Sequence, residues 1–145
     1  MLKAVIDTNV WISALIGTGS SKKIKDCLQA RLFQAVYAQE LFKELVDVLS
    51  RPKYATKIQA TEVYKLLRLI EEVAILVELS QIHRISRDPK DDMFLACAAI
   101  SGSDYIVSSD LDLLDLKSHQ DTQIVTPAKF LAILQPQLIG SQEGG

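Results

Sequence analysis

Six acidic residues, Asp7, Glu44, the pair Asp91-Asp92, and Asp110 with Asp112, carry the catalytic potential of this sequence. The run Ala4-Val5-Ile6 is cut by Asp7-Thr8-Asn9, and apolar spacing resumes at Val10, Trp11, Ala14 and Leu15. A buried strand therefore ends at Ile6 and a helix starts just past Asn9. Asp7 stands at the carboxyl end of that strand, where open α/β sheets place their ligand crevices; the same carboxylate also suits a helix cap. Asp110 repeats the setting after Tyr105-Ile106-Val107, with Asp112 two residues on. Where strand order reverses, two such strand ends become neighbours and their acids face each other. Close carboxylates in apolar surroundings are stable together only if protonated or bridged by a cation. The plainer alternative is that Ser109 and Asp110 shape a turn into 111–116.

Glu44 falls in a helical stretch with apolar Leu41, Phe42, Leu45, Val46, Val48 and Leu49. At about 100° per residue, Glu40 and Asp47 point away from the apolar face, while Glu44 lies at its border. It is the acid of that helix placed to lean over the sheet edge, unless it simply pairs with Lys43. Asp91 and Asp92 open the apolar run Met93 to Ile100. Negative charge is favoured at a helix N-terminus, so Asp91 suits the cap after Asp88-Pro89-Lys90. Asp92 is then free to point at the crevice.

An all-oxygen ligand set without His or Cys suits Mg²⁺ or Mn²⁺ rather than zinc. No Ser/His/Asp or Cys/His set competes. His83 and His119 lie in connectors without ligand-spaced partners, and Gly17-Thr18-Gly19-Ser20-Ser21 lacks the lysine of a phosphate-gripping loop. A net charge of −2 gives no global attraction to nucleic acid, so such a partner must be held by metal ions or a local basic patch. Lys22, Lys23, Lys25, Arg51, Lys53, Arg84, Arg87 and Lys90 are the candidates.

The elements that must position these residues alternate along the chain. Strands are expected over 2–6, 33–37, 74–77, 105–107 and 123–125, separated by helical patterns. Thr126-Pro127 marks the start of a last helix, to about Leu134. Short strands alternating with helices give a parallel sheet covered by helices on both faces. At 145 residues, 48% hydrophobic and 23% charged, the chain fits one globular domain over 1–134, followed by a flexible tail over 135–145. No apolar run approaches the roughly 20 residues of a membrane span. Lys3 is followed at once by a strand pattern rather than a leader. Cys27 and Cys97 fall inside helical patterns and read as buried thiols, with the cytoplasm as the expected location.

Taken together, four segments in order resemble the motifs of PIN-domain ribonucleases. They are Val5-Ile6-Asp7-Thr8-Asn9-Val10, the stretch Glu44 to Tyr54, Arg87 to Ala96, and Val107 to Leu114; Ile124 to Leu131 resembles the family's last strand and helix. The likeness covers about 1–134 and is closest to the toxin components of toxin–antitoxin pairs. It implies a three-layer α/β sandwich whose five-stranded parallel sheet is ordered 3-2-1-4-5, with the first and fourth strands side by side. It also implies that Asp7, Glu44, Asp92 and Asp110 form a quartet binding one or two Mg²⁺ or Mn²⁺ ions. Asn9 would support Asp7, Ser109 stands before the fourth acid, and Asp112 matches an additional acid. The Asp91-Asp92 doublet leaves the third position open by one residue, and Asp110 and Asp112 can exchange primary and supporting roles.

The expected function is a metal-dependent endoribonuclease, the toxin half of a toxin–antitoxin pair. A small antitoxin and a homodimer are implied by the resemblance. The alternatives are a non-catalytic RNA-binding module of the same fold and a receiver-like phosphoacceptor domain. The latter would want a lysine just after the last strand, where none precedes Lys129.

Overall fold

Successive strand residues face opposite sides of a sheet, and in β1 (Lys3–Ile6) both sides are buried. Ala4 and Ile6 enter one apolar layer with Ala35, Val107 and Val125. Val5 enters the other with Val36, Ala38, Ile106 and Ile124. The lack of polar alternation in these short runs is the mark of parallel strands covered twice. The computed structural model describes residues 1–17, 19–79 and 89–143, with side chains at 89–90 and 136–143 outside the description.

After β1 come α1 (Thr8–Ile16), α2 (Ser20–Gln29), β2 (Gln34–Ala38), α3 (Gln39–Leu49), α4 (Pro52–Ala55), α5 (Ala60–Val73) and β3 (Ile75–Val77). The second half runs α6 (Pro89–Ser101), β4 (Tyr105–Val107), α7 (Leu111–Leu116), β5 (Ser118–His119), β6 (Thr122–Val125) and α8 (Pro127–Glu143). The sheet order is β3-β2-β1-β4-β6-β5. Its first five strands pair in parallel, which is the expected 3-2-1-4-5 order with β6 as the fifth parallel strand. β5 is an addition, a two-residue antiparallel partner of β6. Such a segment carries no apolar period, and its turn rests on positive φ at Lys117 (63°) and Gln120 (53°), residue types that do not advertise one.

The helices fall on both faces. Val10 and Trp11 of α1, Ile24 and Leu28 of α2, Leu66 and Ile70 of α5, and Phe130 and Leu134 of α8 pack into the layer of Ile6. Phe94, Leu95, Cys97 and Ala98 of α6 and Leu113 of α7 fill the layer of Val5. α3 straddles the two, with Leu41 in one layer and Leu45, Val48 and Leu49 in the other. That position carries α3 across the sheet margin.

Several boundaries differ from the sequence reading. Pro52 both stops α3 and opens α4, because proline is tolerated in the first turn of a helix and not in its interior. For the same reason Pro89 starts α6, so that helix begins before the apolar run at Met93. α8 does not stop at Leu134; it continues through Pro136 to Glu143. A proline removes one ladder bond and can be accommodated by a kink when its flanks favour a helix, as Gln135, Gln137 and Leu138 do. Among the described residues, no helix is long and apolar enough to cross a membrane.

Cys27 and Cys97 are free and buried, as expected, on opposite faces of the sheet. Burial, and secondarily Glu40, pushes the Cys97 thiol up to about 12.

Phe130 is fully buried and meets Phe33 edge-on at 5.1 Å and Tyr105 at 5.8 Å. It pins α8 to the sheet. Phe130→Ala should lower stability by about 3–5 kcal/mol, measured by urea unfolding; a loss within experimental error would show that α8 is not docked in this way.

Candidate metal centre

The register of β1 on β4, Ala4 with Tyr105, Val5 with Ile106 and Ile6 with Val107, fixes the geometry of the site. The Asp7 N–H continues the ladder to the Val107 carbonyl at 2.9 Å, so Asp7 and Ser108 emerge together beyond the strand ends. Ser108, fully buried, donates its hydroxyl hydrogen to Asp7 Oδ2 at 2.6 Å. Its oxygen accepts the Asp110 N–H at 2.9 Å. One hydroxyl thus joins the two strand-end acids.

Both acids also cap helices. Asp7 is the N-cap of α1, where Oδ1 accepts the Asn9 N–H at 3.4 Å. Asp110 is the N-cap of α7 and accepts the Asp112 N–H at 2.9 Å. Capping and facing the crevice, alternatives in the sequence, are combined here because a helix that starts straight from a strand end puts its cap at the sheet's carboxyl edge.

Asp7 is only 5% exposed. Its carboxyl is held above the ordinary carboxylate range chiefly by burial, with Asp110 and Glu44 adding repulsion. The bonds from Ser108 and the Asn9 amide oppose that rise without cancelling it. Glu44, half-buried on α3, reaches the Thr8 hydroxyl in a long contact of 3.5 Å. Glu40 and Asp47 are exposed, as the helical spacing requires.

A pocket of about 190 Å³ opens between these elements, walled by Asp7, Thr8, Asn9, Glu44, Val48, Arg51, Tyr54, Asp91, Phe94 and Asp110. The doublet is placed in reverse of the sequence expectation: Asp91 stands on the wall, and Asp92, though buried, does not. Because α6 begins at Pro89, Asp91 lies inside the first turn rather than at the cap. Its companion on the wall is Phe94, one turn on, and Asp92 is rotated about 100° away. Carboxylate oxygens of Asp91, Asp110 and Asp112 lie within 4.8 Å of one another, with Asp112 exposed at the outer side. Three hard oxygen donors at that separation, next to a buried carboxyl that resists ionisation, fit a divalent cation of the Mg²⁺ or Mn²⁺ kind.

The supporting residues differ in part from expectation. Ser109 is exposed, and its neighbour Ser108 makes the supporting bonds. The signal for Ser108 lay in the strand ends: Ile6 and Val107 are the last apolar residues of adjacent strands, so the residues after them must meet. Asn9 supports Asp7 through its backbone amide while lining the pocket. Thr8, Tyr54 and Phe94 were not anticipated on the wall. Of the basic candidates, Arg51 is there, whereas Lys22 and Lys23 are exposed on α2 and do not line it. The Lys53 ammonium sits 5.0 Å over the Tyr54 ring. Arg84 and Arg87, and the Lys90 side chain, lie outside the described residues.

Comparisons with known proteins agree with this architecture. A family model described as "PIN domain" matches residues 3–112, which takes in β1 through the acids of the β4–α7 junction. The uncharacterized protein MJ1680 of Methanocaldococcus jannaschii is 26% identical over 140 residues, covering 90% of each chain. Among solved structures, PAE2754 from Pyrobaculum aerophilum superposes with a TM-score of 0.63 at 14% identity, over 93% of this chain and 90% of that one. The likeness to PAE2754 extends the agreement in fold past residue 112.

The raised proton affinity of Asp7 has a signed consequence. A carboxyl bound more tightly to its proton in the folded state favours folding at pH below its unfolded value. That contribution is lost as pH rises through the folded value. At neutral pH in chelator, Asp7→Asn should therefore raise the melting temperature, the gap narrowing as pH falls toward the ordinary carboxylate range. Thermal unfolding across pH checks this; an unchanged or lower melting temperature for the variant at pH 7 would show that the charge of Asp7 carries no net cost.

Proposed function

Because the chain belongs to the PIN-domain family, we propose that it is a metal-dependent endoribonuclease acting on single-stranded or structured RNA. PIN domains are generally nucleases and typically use divalent metals. The observation that carries the reading for this chain is the set of close carboxylates on Asp91, Asp110 and Asp112 beside buried Asp7. The receiver-like alternative gives way to the family match.

In this reading Asp91, Asp110 and Asp112 hold Mg²⁺ or Mn²⁺, with Asp7 and Glu44 completing the acidic wall. Asp110 keeps the role the resemblance implied and Asp91 takes the place given to Asp92, while Asp112, an additional acid in the sequence, joins the ligands, and Asp7 and Glu44 stand beside them on the wall. When bound, the ion supplies positive charge that makes water more acidic and offsets the charge growing on the phosphate. Ser108 holds the Asp7 carboxylate in one orientation and fixes the Asp110 backbone against it, so both acids are preorganised. Thr8 restrains Glu44 from the first turn of α1. Val48 and Phe94 complete the wall with apolar side chains between the acids. Hydrolysis then joins a water oxygen to phosphorus and breaks the bond to one ribose oxygen, which leaves with a proton.

Toxin–antitoxin pairing is a general context of the family, and the proposal extends to a cytoplasmic toxin that forms a homodimer and is covered by a small antitoxin. Growth arrest on expression, relieved by Asp7→Asn, is the expected behaviour of such a toxin.

With RNA and Mn²⁺ the purified protein should cut, and chelator should stop it. Asp7→Asn, Asp91→Asn and Asp110→Asn should each lower the rate by at least about 100-fold, while Asp92→Asn retains most of it. Ser108→Ala should weaken Mn²⁺ binding by about 10–100-fold, as loss of an orienting partner does, read by calorimetry. Cleavage that survives both Asp7→Asn and excess chelator would overturn the assignment. No heat of Mn²⁺ binding would favour a non-catalytic RNA-binding module.

A further inference from the structure

We infer that Arg51 is a substrate-positioning residue, binding a phosphate of single-stranded RNA at the mouth of the acidic pocket. The inference rests on the ribonuclease reading and adds to it the group that receives the strand. Among the described residues lining the pocket, Arg51 is the single positive one, facing Asp7, Glu44, Asp91 and Asp110. It lines the pocket and is also exposed, which places it at the opening rather than the floor.

Its placement follows from α3. Glu44, Val48 and Arg51 are spaced by four and three residues, so they continue one helical face. Arg51 stands about two turns beyond Glu44, past the end of the helix. That separation keeps the guanidinium from collapsing onto the acids, and the salt bridges among the described residues, Lys65 with Glu62 and Arg68 with Glu72, do not involve it.

The backbone of Arg51 is fastened on both sides. Its N–H donates to the Val48 carbonyl at 3.1 Å, and its own carbonyl accepts from the N–H groups of Tyr54 and Ala55 at 3.0 and 3.1 Å. Pro52 fixes the following turn, and the half-buried Tyr54 packs against the core. Lys53 is turned over the Tyr54 ring, so its charge is engaged locally. A fork of guanidinium donors on a rigid corner suits two oxygens of one phosphate. The need is electrostatic: an acidic wall repels the phosphodiester that must approach it, and a fixed cation at the mouth offsets that repulsion where the strand enters.

The test separates positioning from support of the acids. Arg51→Ala should raise KM for a single-stranded RNA oligonucleotide about tenfold with kcat nearly unchanged. Its Mn²⁺ affinity should be retained or tightened, since a positive charge near the acids has gone. In chelator, where nothing is cut, fluorescence anisotropy should show weaker RNA binding, with the salt slope reduced by about 0.7 for the lost phosphate contact. Arg51→Lys should restore the slope and only part of the affinity. Unchanged KM and RNA binding in Arg51→Ala would overturn the inference, as would a loss of Mn²⁺ affinity in step with RNA affinity. Wild-type protein that binds RNA through Arg51 yet cuts nothing in Mn²⁺ defeats the ribonuclease reading alone. Cleavage indifferent to Arg51 defeats this one alone.

Discussion

A single hydroxyl, that of Ser108, sets the geometry on which the acidic pocket depends. It gives its proton to Asp7 and takes the amide hydrogen of Asp110, so two segments about a hundred residues apart in sequence share one oxygen. That sharing is possible only because β1 and β4 lie side by side in register, which in turn requires the chain to reverse its order of strand addition at β1. The crossover is what makes the crevice, and Ser108 is what gives its floor a fixed shape.

The arrangement opposes the stability of the chain that builds it. Burial alone disfavours ionised Asp7, and Asp110 and Glu44 add to the penalty. The opposing contributions are modest and local: a cap amide, a hydroxyl, and the N-terminal ends of α1 and α7. A sheet buried on both faces supplies the rest, since its core can absorb an unfavourable cluster at one edge. Binding of a divalent cation would turn that liability into stabilisation, about 2.7 kcal/mol at a hundredfold excess over Kd.

The fold was largely legible in the sequence because its signals were of the strong kind: short apolar runs without polar alternation, each followed by a helical period. Asp7, Glu44 and Asp110 were legible for the same reason, since strand ends and the border of an amphipathic helix can be counted from the residues. The choice between Asp91 and Asp92 turned on where α6 begins. Pro89 marks the first helical position as plainly as Pro127 does, yet the apolar run starting at Met93 draws attention four residues too far on. Ser108 was obscured by its neighbour Ser109, which stands directly before Asp110; counting from the strand ends, with Ile6 paired to Val107, points to Ser108 instead. β5 and the far end of α8 lay beyond reach, the first being too short to carry a period and the second running through a proline that ordinarily reads as a stop.

The two thiols have a consequence for how the protein meets an oxidising or alkylating environment. Cys27 lies in α2 on one face of the sheet and Cys97 in α6 on the other, so the sheet stands between them. They cannot bridge to each other without unfolding, and burial holds both thiols above the ordinary range, Cys97 up to about 12, so little thiolate is presented to an electrophile. Burial therefore suppresses thiolate chemistry at both positions of the folded chain.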